Sequence, residues 1–331
     1  MLDNNKINSL IKTCLTGLTS RQKEVLEGRY GLGKTESLTL AELGSKYSLT
    51  RERIRQIEST AIKVAKTNAN GDEFSGFKKA VNEILKNSGG TKREDLLIEE
   101  LAGANAQNRV KFLLEICDSF QYANDGKDTH AFWHIGDDGK KKALSFVSYV
   151  LKNADRDDFS TTFVAAARNS GVSDGVARNY ASISKNITTN VYGSIGLAEW
   201  TEINPKTARD WAYLILKKEK RPLHFTEIAR LVSEIRGKKT HAPTIHNELI
   251  KDKKFVLVGK GTYTLSEFGV VAGTAKELIS HFLKKDGPLS SREVINLVMK
   301  QRIFKENTIL INLQNRKHFK RLGDGRYTTL V

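Results

Sequence analysis

The chain has 331 residues and a formal net charge of +16 at pH 7, from 54 Lys and Arg against 38 Asp and Glu. Hydrophobic residues make up 39% of it, and no stretch approaches the roughly 20 apolar residues that span a bilayer. The two cysteines, Cys14 and Cys117, are isolated, so neither a disulfide framework nor a cysteine-based zinc site is supported. The amino terminus lacks the basic start and apolar core of a secretion signal. These features predict a cytoplasmic protein without membrane contact.

The positive charge is concentrated at the two ends of the chain. Residues 1–70 carry 12 Lys and Arg against 7 Asp and Glu, residues 71–200 carry 16 against 18, and residues 201–331 carry 26 against 13. The net charges are therefore +5, −2 and +13. Basic ends predict nucleic-acid contacts at both ends. The alternative is that a lysine-rich surface only keeps the protein in solution.

Two short helix patterns separated by a tight turn organise the first 70 residues. Residues 39–47, TLAELGSKY, predict a helix with Gly44 at a close crossing, and Ser48-Leu49 follows as the turn. Residues 50–65, TRERIRQIESTAIKVA, predict a second helix capped by Thr50, with apolar residues at three- and four-residue spacing. Further helix patterns at 6–16 and 20–30 precede the pair. This is the helix-turn-helix layout.

The amino-terminal end of the second helix carries side chains that can read base edges. Arg51, Glu52, Arg55 and Gln56 fall on the face opposite the apolar stripe. Arginine can fork onto guanine, glutamine can pair with adenine and glutamate can accept from cytosine. We predict these four residues and Thr39 as DNA base and phosphate contacts. The alternative is a solvated charged face.

Residues 18–66, LTSRQKEVLEGRYGLG…LTLAELGSKYSLTRERIRQIESTAIKVAK, resemble the fourth conserved region of primary-type bacterial sigma factors. The resemblance implies a domain that reads the promoter −35 element and docks on the flap of the RNA polymerase β subunit. Thr60 stands where the family often has a lysine. The chain has no candidate for the aromatic-rich helical region that melts the −10 element, so we do not predict a complete sigma factor.

Residues 28–35, GRYGLGKT, satisfy the letters of a phosphate-binding P-loop. That loop needs an apolar strand before it, whereas SRQKEVLEGRY is polar and helical in period. Nucleotide hydrolysis through Gly33, Lys34 and Thr35 is therefore the least favoured hypothesis.

An internal repeat follows from residue 72. Its clearest copies predict three helices and a β-hairpin with a Gly-x-Gly turn, which is the composition of a winged helix. Trp133, Trp200 and Phe268 each close a candidate wing at spacings of 67 and 68 residues. The predicted fold is mainly α, a helix-turn-helix followed by tandem winged helix-turn-helix domains. Its predicted domains are 1–70, 72–138, 140–202, 204–269 and 271–331.

Residues 221–268, RPLHFTEIARLV…TIHNELIKDKKFVLVGKGTYTLSEF, resemble the HARE-type winged helix. The resemblance implies a role at nucleic acid or polymerase without a fixed catalytic chemistry. Basic residues around the last two wings predict accessory phosphate contacts, with scattered solvated charge as the alternative. These residues are Lys251, Lys253, Lys254, Lys260, Arg316 and Lys320.

No catalytic motif stands out in the sequence. His130 and His134 are four residues apart, but Asp137 and Asp138 are the only further ligand candidates near them, so we predict no metal and no cofactor. The predicted function is a nucleoid-associated, non-enzymatic transcription protein that binds double-stranded DNA and RNA polymerase core. The alternative is the DNA-targeting subunit of a nuclease, restriction or defence system.

Overall fold

The computed structural model describes residues 2–33, 36–102, 106–270, 273–301 and 304–330. The fold is mainly helical with small antiparallel sheets, as predicted. The chain forms two compact units, one of Met1–Thr188 with Ile195–Ala198 and one of Thr189–Ser194 with Glu199–Val331. Within the described ranges, no helix combines the length and the apolar character that crossing a membrane requires.

The first unit begins with four helices, and threonine residues cap the starts of the last three. The helices are α1 (Asn4–Cys14), α2 (Ser20–Tyr30), α3 (Leu40–Tyr47) and α4 (Arg51–Asn68). Thr19 and Thr39 form capping boxes at α2 and α3, and Thr50 accepts from Arg53 N at 3.2 Å. Each cap satisfies a backbone donor that the first turn leaves free. The predicted capping role of Thr50 is confirmed.

The rest of the first unit repeats one order of elements twice, three helices and then a hairpin. The first copy contains α5 (Ser75–Asn87), β1 (Thr91–Arg93), α6 (Glu94–Ala102), α7 (Gln107–Ile116), β2 (Gln121–Ala123) and β3 (Phe132–His134). The second contains α8 (Gly136–Asn153), α9 (Phe159–Asn169), α10 (Asp174–Ile183), β4 (Ile187–Thr189) and β5 (Ile195–Leu197). In the first copy β3 lies between β1 and β2, antiparallel to both.

The second unit shows the same order of elements twice more. One copy contains α11 (Ala208–Glu219), β6 (Leu223–His224), α12 (Phe225–Arg236), α13 (Ala242–Lys251), β7 (Phe255–Gly259) and β8 (Thr262–Leu265). The other contains α14 (Ala275–Asp286), α15 (Ser291–Gln301), α16 (Glu306–Leu313), β9 (Phe319–Arg321) and β10 (Tyr327–Thr329). The two copies have separate apolar clusters. The HARE-type assignment of 221–268 stays a prediction.

The predicted boundary at residue 70 does not separate two cores. One cluster of buried apolar residues runs from Leu10 of α1 through Ala65 of α4 to Phe112 of α7. The reason lies in α7, where Val110, Phe112, Leu113, Leu114 and Ile116 are all buried. These residues cover more than half of the helix circumference, so the apolar side of α7 has to be covered from more than one direction. Here the helix-turn-helix supplies part of that cover, and the other predicted boundaries stay predictions.

The aromatic residues used to measure the repeat do not occupy equivalent positions. Trp133 lies inside β3 and is buried, whereas Trp200 and Phe268 follow the second strand of their hairpins. Their even spacing was therefore an unreliable measure of the repeat.

Candidate nucleic-acid interface

A small apolar cluster fixes the angle between α3 and α4. Val25, Leu43 and Ile54 are fully buried and form its centre. The turn between the helices comes so close to α3 that a Cβ added at Gly44 would lie 2.7 Å from the carbonyl oxygen of Leu49. Gly44 was predicted at a helix crossing, and its close neighbour is the backbone of this turn. Ile54 thus anchors the start of α4 while the neighbouring residues face solvent.

All four predicted reading residues of α4, Arg51, Glu52, Arg55 and Gln56, are exposed. Arg55 donates from Nε and Nη2 to the two carboxylate oxygens of Glu52, at 2.8 and 2.7 Å. These hydrogen bonds hold the pKa of Glu52 below its ordinary value. This exposed side of α4 therefore presents arginine guanidinium groups, a carboxylate and an amide.

Arg53 is an exposed residue on this end of α4 that the sequence reasoning missed. Its Nη1 donates to Oε1 of Gln56 at 3.1 Å, so it orients one of the predicted readers. Its place between Arg51 and Arg55 in the motif was the available signal. Thr39 is exposed and caps α3, where its hydroxyl accepts from Glu42 N at 3.2 Å.

A groove of about 780 Å³ runs beside α4. Its basic lining comes from Arg29, Arg55, Lys63 and Lys66 of the helix-turn-helix and from Lys111 of α7, with Glu58 and Glu115 as the acidic residues. Arg29 Nε lies 3.3 Å from Glu58, and burial raises the pKa of that carboxyl against the opposing effect of Arg29. Lys111 was not predicted, because nothing in the sequence placed α7 beside α4.

The predicted accessory cations of the second unit all lie exposed. Lys251 ends α13 and pairs with Glu248 at 3.3 Å, whereas Lys253 and Lys254 lie in the loop that follows. Lys260 occupies the tip between β7 and β8. They form an exposed basic edge of the third copy.

Arg316 and Lys320 lie on the fourth copy. They line a groove of about 590 Å³ together with Arg321, Phe319 and Tyr327. Its side chains combine positive charge with two aromatic rings. The structure therefore brings Arg316 and Lys320 together on the fourth copy, whereas the four predicted lysines lie on the third.

The third helix of each repeat has a different environment in the two units. The apolar side of α7 packs within the core that includes the helix-turn-helix, and its Glu115 accepts from the hydroxyl of Tyr30 at 2.9 Å. On α10, Asn179 donates to the carbonyl of Thr91 at 2.7 Å and Tyr180 to that of Gly89 at 2.8 Å. The helices α13 and α16 have exposed faces that lie beside clusters of cations. The near-neutral repeats thus use their third helices to pack against protein.

Two other predictions concern residues outside this surface. Gly28 lies within α2, so a helix stands where a P-loop needs a strand, and Lys34 and Thr35 lie outside the described residues. His134 is buried in β3, and its Nδ1 lies 2.9 Å from the carbonyl oxygen of Gly136.

The N-terminal helices, with polar side chains exposed at the start of α4, define a helix-turn-helix domain. Residues 14–64 match the family model for Sigma-70, region 4, so this part of the chain is a sigma region 4 domain. The chain is 43% identical over 61 residues to the RNA polymerase sigma factor SigA4 of Synechococcus elongatus, strain ATCC 33912 / PCC 7942 / FACHB-805. It is 35% identical over 71 residues to the RNA polymerase sigma factor RpoD of Neisseria gonorrhoeae.

These similarities cover a small part of each protein. The alignment with SigA4 spans 18% of this chain and 20% of that relative, and the alignment with RpoD spans 22% and 11%. They therefore identify the helix-turn-helix domain and do not extend to the repeats that follow it.

Proposed function

We propose that the chain is a DNA-binding transcription protein that reads a promoter −35-like element in double-stranded DNA through α4. In this proposal it associates with RNA polymerase core at the nucleoid and acts by binding, without catalysis. The observation that carries the proposal is the exposed set of reading side chains at the start of α4, within a region 4 domain. The basic edges of the second unit add phosphate contacts.

The geometry of α4 suits a helix that enters the major groove by its amino-terminal end. Arg55 and Glu52 form an exposed pair, and exposed ion pairs contribute little to stability. Arg55 can therefore exchange the carboxylate for guanine O6 and N7 at small cost. Glu52 is then released to accept from a neighbouring cytosine, and Gln56 is placed to pair with adenine.

Arg55→Ala is expected to weaken binding to the preferred sequence by about 10- to 100-fold and to relax the choice of base at one position. The reason is the removal of a two-pronged interaction with a base edge. Quantitative binding of the full chain to preferred and randomised duplexes measures the effect. The matched control is Arg178→Ala, which removes a similar exposed pair with Asp174 on α10. Equal weakening on both kinds of DNA would overturn the reading role of Arg55.

Replacing Lys253 and Lys254 with glutamine should lower affinity evenly across sequences and flatten its salt dependence. Each lysine that neutralises a phosphate releases condensed counterions, so the slope of log K against log salt falls by about one for each lysine–phosphate pair that is removed. A salt titration with any single duplex measures this slope. The control variant replaces Lys141 and Lys142 with glutamine. Both lysines are exposed on α8, in the near-neutral region of the chain. An unchanged slope in the Lys253 and Lys254 variant would exclude both residues from the interface.

The partner in this proposal is tested by purifying the tagged full chain from its own cells. Recovery of RNA polymerase core, in amounts that survive nuclease digestion of bound DNA, supports the transcription role. Recovery of a nuclease in place of polymerase would overturn it and favour the DNA-targeting alternative.

A further inference from the structure

The third helix of the fourth copy, α16, presents an uncharged side to solvent. Asn307, Thr308, Ile311 and Gln314 are exposed, and Ile311 is 70% exposed. At 3.6 residues per turn these positions lie within about a third of the helix circumference. Ile309 and Leu313 point the other way into the core of the copy. The exposed side is therefore not needed to hold the fold together.

The side chains on this face have unused hydrogen-bonding capacity. Those of Asn307, Thr308 and Gln314 make no hydrogen bond with any residue that the structure describes. Asparagine and glutamine amides match the N6 and N7 edge of adenine, and an aliphatic group fits against the thymine methyl. The face thus combines both kinds of group that recognise A·T pairs in the major groove.

Positive charge borders this neutral face. Residues 304–330 contain six Lys and Arg against two Asp and Glu, a net charge of +4. One of the two acidic residues, Asp324, is paired with Arg326 at 2.6 Å. Arg316, Lys320 and Arg321 line the 590 Å³ groove, which also reaches Gln314. A duplex that placed its base edges on α16 would bring phosphates towards these cations.

Among the described residues of the other third helices, α13 also exposes an amide and an aliphatic side chain, those of Asn247 and Ile250. The third helices α7 and α10 are packed against protein, and α13 carries the ion-paired Glu248 and Lys251 near its carboxyl end. We infer that α16 is a second sequence reader, which lies in the major groove of double-stranded DNA and recognises A·T pairs through Asn307, Ile311 and Gln314. This inference goes beyond the proposed function, because α16 belongs to the other compact unit.

Selection of duplexes from a randomised library by the full chain tests the inference. The wild-type chain should enrich two sequence elements, and the double variant Ile311→Ala with Gln314→Ala should lose one of them. Affinity for a duplex that holds both elements should fall by about tenfold or more, with little change on random DNA. Both substituted side chains are exposed, and alanine favours the helix, so folding is preserved. Unfolding curves of the variant should match those of the wild type.

Two control variants separate base reading from other roles of the fourth copy. Met299→Ala removes an exposed apolar side chain of α15 and should leave both elements enriched. Lys320→Ala should lower affinity on all duplexes without changing the selected bases. Arg55→Ala should abolish enrichment of the element read by α4 alone. The same assay therefore tests the roles of α4 and α16 separately.

Two outcomes would overturn the inference. One is enrichment of the same two elements by the wild-type chain and the Ile311 and Gln314 variant. The other is unchanged DNA selection together with loss of self-association or of a co-purifying protein, since α16 would then be a protein-docking face.

Discussion

Phe112→Ala is expected to lower the free energy of unfolding of the first compact unit by about 3–5 kcal/mol. Phe112 of α7 is fully buried, and its ring centroid lies 4.9 Å from that of Tyr30 in α2. Because the helix-turn-helix and the first repeat share one core, both should lose stability together. Hydrogen exchange of the full chain measures this, and amides of α1 and α7 should lose protection to the same extent.

The reactivity of the two cysteines gives an independent measurement of the unfolding of this shared core. Cys14 in α1 and Cys117 directly after α7 are the only cysteines of the chain, and both are buried in the shared core. Burial raises the pKa of the Cys14 thiol to about 12 and that of Cys117 to about 11. The thiolate is the reactive form, so the folded protein should react slowly near neutral pH. In the Phe112→Ala variant both thiols should be labelled faster.

The matched control is Phe282→Ala in α14. Phe282 belongs to the apolar core of the last copy, in the other compact unit. This variant should lose protection in α14 and α16 while the labelling of Cys14 and Cys117 stays at the wild-type rate. Should Phe112→Ala accelerate Cys117 alone, the helix-turn-helix would be a separately folding domain, as the sequence first indicated.

Local sequence signals predicted most of the helices correctly. The helix that begins after Thr50 depends on one capping hydroxyl and on apolar residues such as Ile54 and Ala61, all within a few turns. Such signals are complete within a short window, so helix position can be derived from sequence. The same holds for α2, since the helix pattern predicted at 20–30 has the limits of the helix Ser20–Tyr30 in the structure.

Features that depend on distant contacts were not predicted. The apolar residues of α7 indicate a broad buried side, but Tyr30 lies 82 positions before Phe112, and no local pattern identifies it as the partner. The strands β1 and β6 have three and two residues, too short for an alternating pattern. The place of Lys111 beside α4 follows from this packing, which is why part of the candidate interface was missed.

Gly44→Ala is expected to destabilise the helix-turn-helix by roughly 1–3 kcal/mol and to abolish sequence-selective DNA binding. The added Cβ would lie 2.7 Å from the Leu49 carbonyl oxygen, a backbone atom that cannot rotate away. The turn must therefore move, and α4 begins directly after it at Arg51. A shift at this point would change the orientation of α4 and of all its predicted reading side chains. Chemical denaturation and binding to preferred and random duplexes measure the two effects.

Gly76→Ala separates this steric effect from the general effect of adding a methyl group. Gly76 lies in α5, where an added Cβ meets nothing within 4 Å, so alanine should stabilise the helix by about 0.5–1 kcal/mol. The two substitutions are chemically identical and opposite in expected sign. If Gly44→Ala matched the wild type in stability and in DNA selection, the close approach at Leu49 would not set the position of α4. Loss of sequence selection with normal affinity for random DNA would show that the orientation of α4 has changed, since the phosphate contacts would remain.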